Sequence, residues 1–130
     1  MSNGGSVRVL VAFLVLALSA VAPAHDPLRW HLIGHLNDGS AAYIDAQSLR
    51  GSRATGFRVW IKFLHPDSDN VTESSEYYDD INCKNGTYAE LQSIIIRRDG
   101  SGSQYAAPAP RFEAPVPEST NEFVVNTLCK

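Results

Sequence analysis

Between Gly56 and His65 the chain alternates: Phe57, Val59, Ile61 and Phe63 fall on one side, Arg58, Trp60 and Lys62 on the other. Successive side chains of a strand point to opposite faces, so this period-2 run predicts a half-buried β-strand with its apolar row against a core. A strand of that kind is not stable alone. It needs neighbours along its edges and a layer over its apolar side. His65-Pro66 ends it, because proline has no amide to give a ladder.

The flanking sequence supplies the neighbours. Trp30 to His35 reads as a first strand and Ala41 to Asp45 as its return, joined through Asn37-Asp38-Gly39-Ser40. Asp-Gly between apolar runs favours a hairpin because glycine accepts positive φ. Asp45 is placed to cap a short turn through Ser48-Leu49, and Arg50 to Arg53 reads as loop. A polar loop from Asp67 to about Thr72 leads to a fourth strand, Ser74 to Cys83. Tyr77, Asp79, Ile81 and Cys83 share one of its faces. Lys84-Asn85-Gly86 turns the chain into a long, isoleucine-rich fifth strand from Thr87 to Arg97. Asp99 to Ser103 reads as a flexible turn. Pro108, Pro110, Pro115 and Pro117 then make a polyproline-like or edge segment, with Phe112 as its large apolar anchor.

One helix is predicted. Ser119-Thr120-Asn121-Glu122 fits a capping box, with Ser119 taking the Glu122 amide and Glu122 returning to the Ser119 amide. Phe123, Val124, Thr127 and Leu128 follow as a short apolar stripe. The fold class is α+β: an antiparallel sheet of about five to six strands with one C-terminal helix.

The first 24 residues read as an export signal. Arg8 is the positive n-region, Val9 to Ala22 the apolar run, and Ala22-Pro23-Ala24 a small-x-small cleavage site. The run is short for a bilayer span and polar sequence follows at once, so stable membrane insertion is not expected. Cutting after Ala24 leaves 106 of the 130 residues, one domain beginning at His25. Export makes a disulfide the expected state of Cys83 and Cys129, and two cysteines allow one pairing. That bridge would pin the helix to the fourth strand and contribute roughly 4 kcal/mol on the chain-entropy model.

The mature chain has ten basic and fourteen acidic residues with neutral histidines, a net charge of −4. Nucleic-acid binders cluster Lys and Arg, and anionic lipid attracts polybasic patches; neither is present. No Cys-x-x-Cys, nucleophile elbow or His-Glu-x-x-His occurs. Gly100-Ser101-Gly102 does not continue into a phosphate or dinucleotide loop, so neither catalysis nor a cofactor is expected. Asp79 and Asp80 fall on opposite sheet faces and make no acid/base dyad.

Two clusters remain as candidates. His25, His31 and His35 lie near the mature start, and imidazole with a free α-amine suits copper. On a regular strand His31 and His35 share a face but stand about 13 Å apart. The alternative is three partly exposed histidines on an edge strand and a frayed terminus. The acidic run Asp67, Asp69, Glu73, Glu76, Asp79 and Asp80 fails the calcium-loop template, since Val71 and Thr72 occupy ligand and glycine positions. It reads as a solvated loop and a polar sheet face. The second cluster is Trp60 with Arg58 and Lys62, a side-chain set that protein-binding hot spots use. The competing expectation, and the preferred one, packs Trp60 beneath the C-terminal helix.

Several segments together resemble the surface-adhesin protein E family of exported bacterial domains. They are Trp30, Tyr43-Ile44-Asp45 with Ser48-Leu49, Val59-Trp60, Asn82-Cys83, Pro117-Glu118-Ser119 and Leu128-Cys129-Lys130. The resemblance implies an antiparallel sheet with a helix clamped by the one disulfide. It also implies a non-catalytic binding role toward host-matrix or cell-envelope proteins, at the surface or in the periplasm of a Gram-negative bacterium. Self-association as a homodimer through a sheet edge fits such a domain.

Overall fold

A computed structural model describes Asp26 and residues 28–130. The export signal and His25 lie outside the described residues. Seven strands and one helix follow in order: β1 (Trp30–His35), β2 (Ala41–Asp45), β3 (Arg50–Ser52), β4 (Gly56–Leu64), β5 (Thr72–Asn82), β6 (Thr87–Arg97), β7 (Gly102–Ala106) and α1 (Thr120–Cys129). All strands join one antiparallel sheet in the order β1-β2-β4-β5-β6-β7, with β3 also pairing β4.

Two strands exceed the sequence expectation. β3 extends the line of β2 along the lower half of β4, with Arg50 opposite Arg58 and Ser52 opposite Gly56. β7 adds Gly102–Ala106 to the outer edge of β6, where the sequence suggested a flexible turn. Neither segment carries an apolar alternation, because every residue of both is exposed. Edge pairing through the backbone needs no such pattern.

The expected core row is the observed one. Val59, Ile61 and Phe63 of β4, with Ala42 and Ile81, are buried beneath Val124 and Val125 of α1. We call this side of the sheet the helix face. The helix comes close enough that a Cβ on Gly34 would meet the tip of the Phe123 ring at 2.6 Å, so any larger residue there would push the ring aside. Ser119 Oγ accepts from the Glu122 amide at 3.2 Å, as the capping box predicts. The reciprocal bond goes one residue further back, the Glu118 amide donating to Glu122 Oε1 at 3.2 Å. Cys83 and Cys129 are bonded, their Cα atoms 5.2 Å apart.

The proline-rich segment forms a strap over the outer end of the helix face. Phe112 does not anchor it, being 51% exposed. A backbone bridge does: the Tyr88 amide donates to the Glu113 carbonyl at 3.0 Å, and the Glu113 amide to Tyr88 at 2.8 Å.

Candidate functional site

The face opposite α1 carries a ladder of three cross-strand pairs between β4 and β5. Arg58 stands opposite Asp80, Trp60 opposite Tyr78, and Lys62 opposite Glu76. Strand period puts all six on one face, and direct opposition brings each pair into contact. Arg58 reaches Asp80 at 3.3 Å. The Trp60 and Tyr78 rings stack with centroids 5.2 Å apart and planes at 21°. Lys62 Nζ lies 3.5 Å from Glu76. Aromatic and ion pairs of this kind contribute about 0.2–1 kcal/mol each to the sheet.

The loop between β2 and β3 fixes the position of Trp60. Asp45 is buried and accepts from Arg29 Nε at 2.9 Å and from the Gln47 amide at 3.0 Å. Ser48 Oγ donates to the Asp45 carbonyl at 3.0 Å and accepts the Trp60 amide at 2.9 Å. The β4 amide that falls in the gap between β2 and β3 is thereby satisfied, as a backbone donor inside a sheet must be.

Two sequence expectations change here. Trp60 does not lie under the helix; it is half-buried on the opposite face, in contact with Tyr78. Lys62 is no surface contact, since only 3% of it is exposed. Its ammonium sits 4.5 Å from the centroid of the Trp30 ring, which covers it, and Arg29 lies 5.3 Å from the same ring. A buried ammonium is tolerable when a carboxylate and an aromatic face replace its water. Of the trio, Trp60 and Arg58 remain available to a partner.

The histidines do not converge. An extra residue in β1 between Leu32 and Gly34 places His31 opposite Ile44 and His35 opposite Ala41. The extra residue breaks the regular period that would have set the two histidines on one face. Among the described residues no group of three His, Cys, Asp or Glu is placed to hold a metal. The acidic loop is structural. Asp69 accepts from the Thr72 and Val71 amides, at 2.9 and 3.1 Å, and these bonds hold its carboxyl below the usual range. Arg98 ties the same loop down through the carbonyls of His65, Pro66 and Asp69.

Asp79, expected with the acidic run on a solvated, polar sheet face, is instead buried on the helix face, because strand period sets it in line with Ile81 and opposite Val59 of the core row. Asp79 is 3% exposed, and its Oδ1 has no hydrogen-bond partner among the described residues. Its cross-strand neighbour is Glu90, because a register shift in β6 passes over Leu91. Burial first, and the charge of Glu90 second, push the Asp79 carboxyl up to about 7. Burial also raises Glu90. A buried acid amid apolar positions is a legible signal; the bulge that brings Glu90 beside it is not.

The fold is a disulfide-clamped α+β domain whose single sheet is covered by a helix on one side and carries an aromatic and ionic ladder on the other. The surface-adhesin protein E model matches residues 30–130, and the chain belongs to that family. No curated protein and no solved structure matches the chain. Membership in a family of surface adhesins supports an exported or surface protein of non-enzymatic type. No helix among the described residues is long and apolar enough to cross a membrane.

Proposed function

We propose that the chain is an exported, non-catalytic binding module that holds a protein partner, from the host matrix or the cell envelope, on its ladder face. The observation that carries this reading is the Trp60–Tyr78 stack, half-buried between ion pairs on the sheet face opposite α1. Large rigid aromatics beside an Arg are the side chains that protein interfaces favour at their centres. Burying the exposed edges of both rings and the Arg58 stem removes apolar area from water at little entropic cost, because the stack is already ordered.

The test has two arms. Protease shaving of intact source cells asks whether the domain is accessible while a periplasmic control survives. The purified domain and its Trp60→Ala variant are then measured against immobilised matrix and plasma proteins. Surface exposure with binding that falls at least about tenfold in the variant supports the reading. Protection until the outer membrane is breached removes the host partner and leaves an envelope protein. Equal binding by the variant moves the contact off this face.

A further inference from the structure

On the helix face, beneath the proline-rich strap, lies a cavity of about 470 Å³, within the range of small-ligand sites. Its walls include Tyr77 of β5, Tyr88 and Glu90 of β6, and Tyr105 of β7. The strap adds Arg111 and Glu113, and α1 adds Asn121. Three tyrosines and two carboxylates therefore surround one space, with Asp79 behind Glu90 on the same sheet face. The β6 bulge sets this arrangement, and bulges recur where a strand must re-aim side chains at a site.

Arg111 is the one basic side chain among the lining residues, against the carboxylates of Glu90 and Glu113. Asp79 has an unpartnered buried oxygen, and its neighbour across the strands is a second acid. Arg111 is exposed and makes no ion pair among the described residues. Burial raises Tyr77 and Tyr88 above the ordinary phenol, with Asp79 and Glu90 adding to both. Every shifted group around the space is held toward its protonated form, by burial first and by neighbouring carboxylates second where they contribute. The N-terminus of α1 opposes a cation, but Ser119 caps it and Glu122 lies in its first turn. A metal ion is the poorer occupant, because the described acids do not form a three-ligand group. Tyrosine faces and a carboxylate suit an organic ammonium better.

We infer that this cavity binds an alkylammonium group, with Glu90 as its counter-ion, Tyr77, Tyr88 and Tyr105 as its aromatic walls, and Asp79 as the charge behind. Such a group occurs on free amines and on lysine side chains of other proteins. The site lies on the face opposite the ladder and does not depend on what the ladder binds. Asn121 Nδ2 donates to the Tyr88 hydroxyl at 2.9 Å, which gives the wall a resonance to follow.

The experiment is an NMR titration of the mature, disulfide-bonded domain with n-butylammonium, Nα-acetyl-lysine methylamide and, as the neutral control, n-butanol. The expected result is saturable shifts at Glu90, Tyr88 and the Asn121 side-chain amide with both cations and none with butanol. The affinity should fall about tenfold or more in Glu90→Gln. Tyr105→Ala, which removes an exposed edge side chain and spares the core, should weaken binding as well. The Asp79 carboxyl should also titrate at lower pH when butylammonium is present. Tighter binding of the capped lysine than of butylammonium identifies a partner's side chain as the source, and the reverse order identifies a free amine. No saturable shift, equal shifts with butanol, or undiminished binding in folded Glu90→Gln overturns the proposal.

Discussion

Lys62 on one face of the sheet and Asp79 on the other are both buried ionisable side chains, and the two faces treat them in opposite ways. On the ladder face Lys62 has Glu76 at 3.5 Å and the Trp30 ring at 4.5 Å. On the helix face Asp79 is as deeply buried, but it has one oxygen without a partner and a second acid as its neighbour. Lys62 is a charge whose hydration has been replaced. Asp79 is a charge whose hydration has been removed. The difference shows which face was built for packing and which retains an unmet electrostatic demand.

The disulfide offers the largest way to break the comparison, because it holds α1 over Asp79 and touches nothing near Lys62. Replacing both Cys83 and Cys129 by serine should cost roughly 4 kcal/mol in denaturant unfolding. Loss of less than about 1 kcal/mol would mean that the helix face is held by packing alone.

Asp79 should give the next largest effect, through pH. Its carboxyl is pushed up to about 7 in the folded chain, against an ordinary value of 3.8 when unfolded. Between these values the folded state holds the extra proton, so stability falls as pH rises through that window and levels off above it. The drop is on the order of 4 kcal/mol, and the raised Glu90 carboxyl adds to it in the same direction. Asp79→Asn should remove most of the slope and leave the variant more stable than the parent at pH 8. A flat stability profile from pH 4 to 8 in the parent would show that Asp79 is solvated.

Lys62→Ala should cost about 2 kcal/mol, below the value for a fully buried pair because the Glu76 side chain is 20% exposed. Lys62→Met, which keeps an apolar stem under Trp30, should recover much of that loss. If both variants cost the same, the ammonium is what matters and the packing against Trp30 contributes little. The smallest effect sharpens the ladder itself. Trp60→Ala and Tyr78→Ala should each cost about 1 kcal/mol, and their double-mutant cycle should show coupling of about 0.5 kcal/mol or more. Zero coupling would mean that the rings stack without attraction.

Much of the fold was legible in the residues. Alternation in β4 identified the core row, Asp38-Gly39 the first hairpin, Ser119 the helix start, and Cys83 with Cys129 the clamp. β3 and β7 escaped notice because edge pairing uses backbone amides, and Arg-Gly-Ser and Gly-Ser-Gln-Tyr-Ala bury nothing that would leave a pattern. Of the candidate contacts, Trp60 and Arg58 could be placed on a face by period alone. Whether that face was covered could not.

The sequence by itself determined the strands of strong alternation, the one helix, its cap, and the side of β4 that meets the core. These are local properties, set by period, φ preference and hydrogen-bonding side chains within a few residues. Only the tertiary structure decided that Trp30 closes over Lys62, that a bulge in β1 separates His31 from His35, and that a second bulge sets Glu90 beside Asp79. Each depends on the register between strands brought together from distant parts of the chain. A one-residue slip there exchanges one face for the other, and nothing local to either strand fixes it.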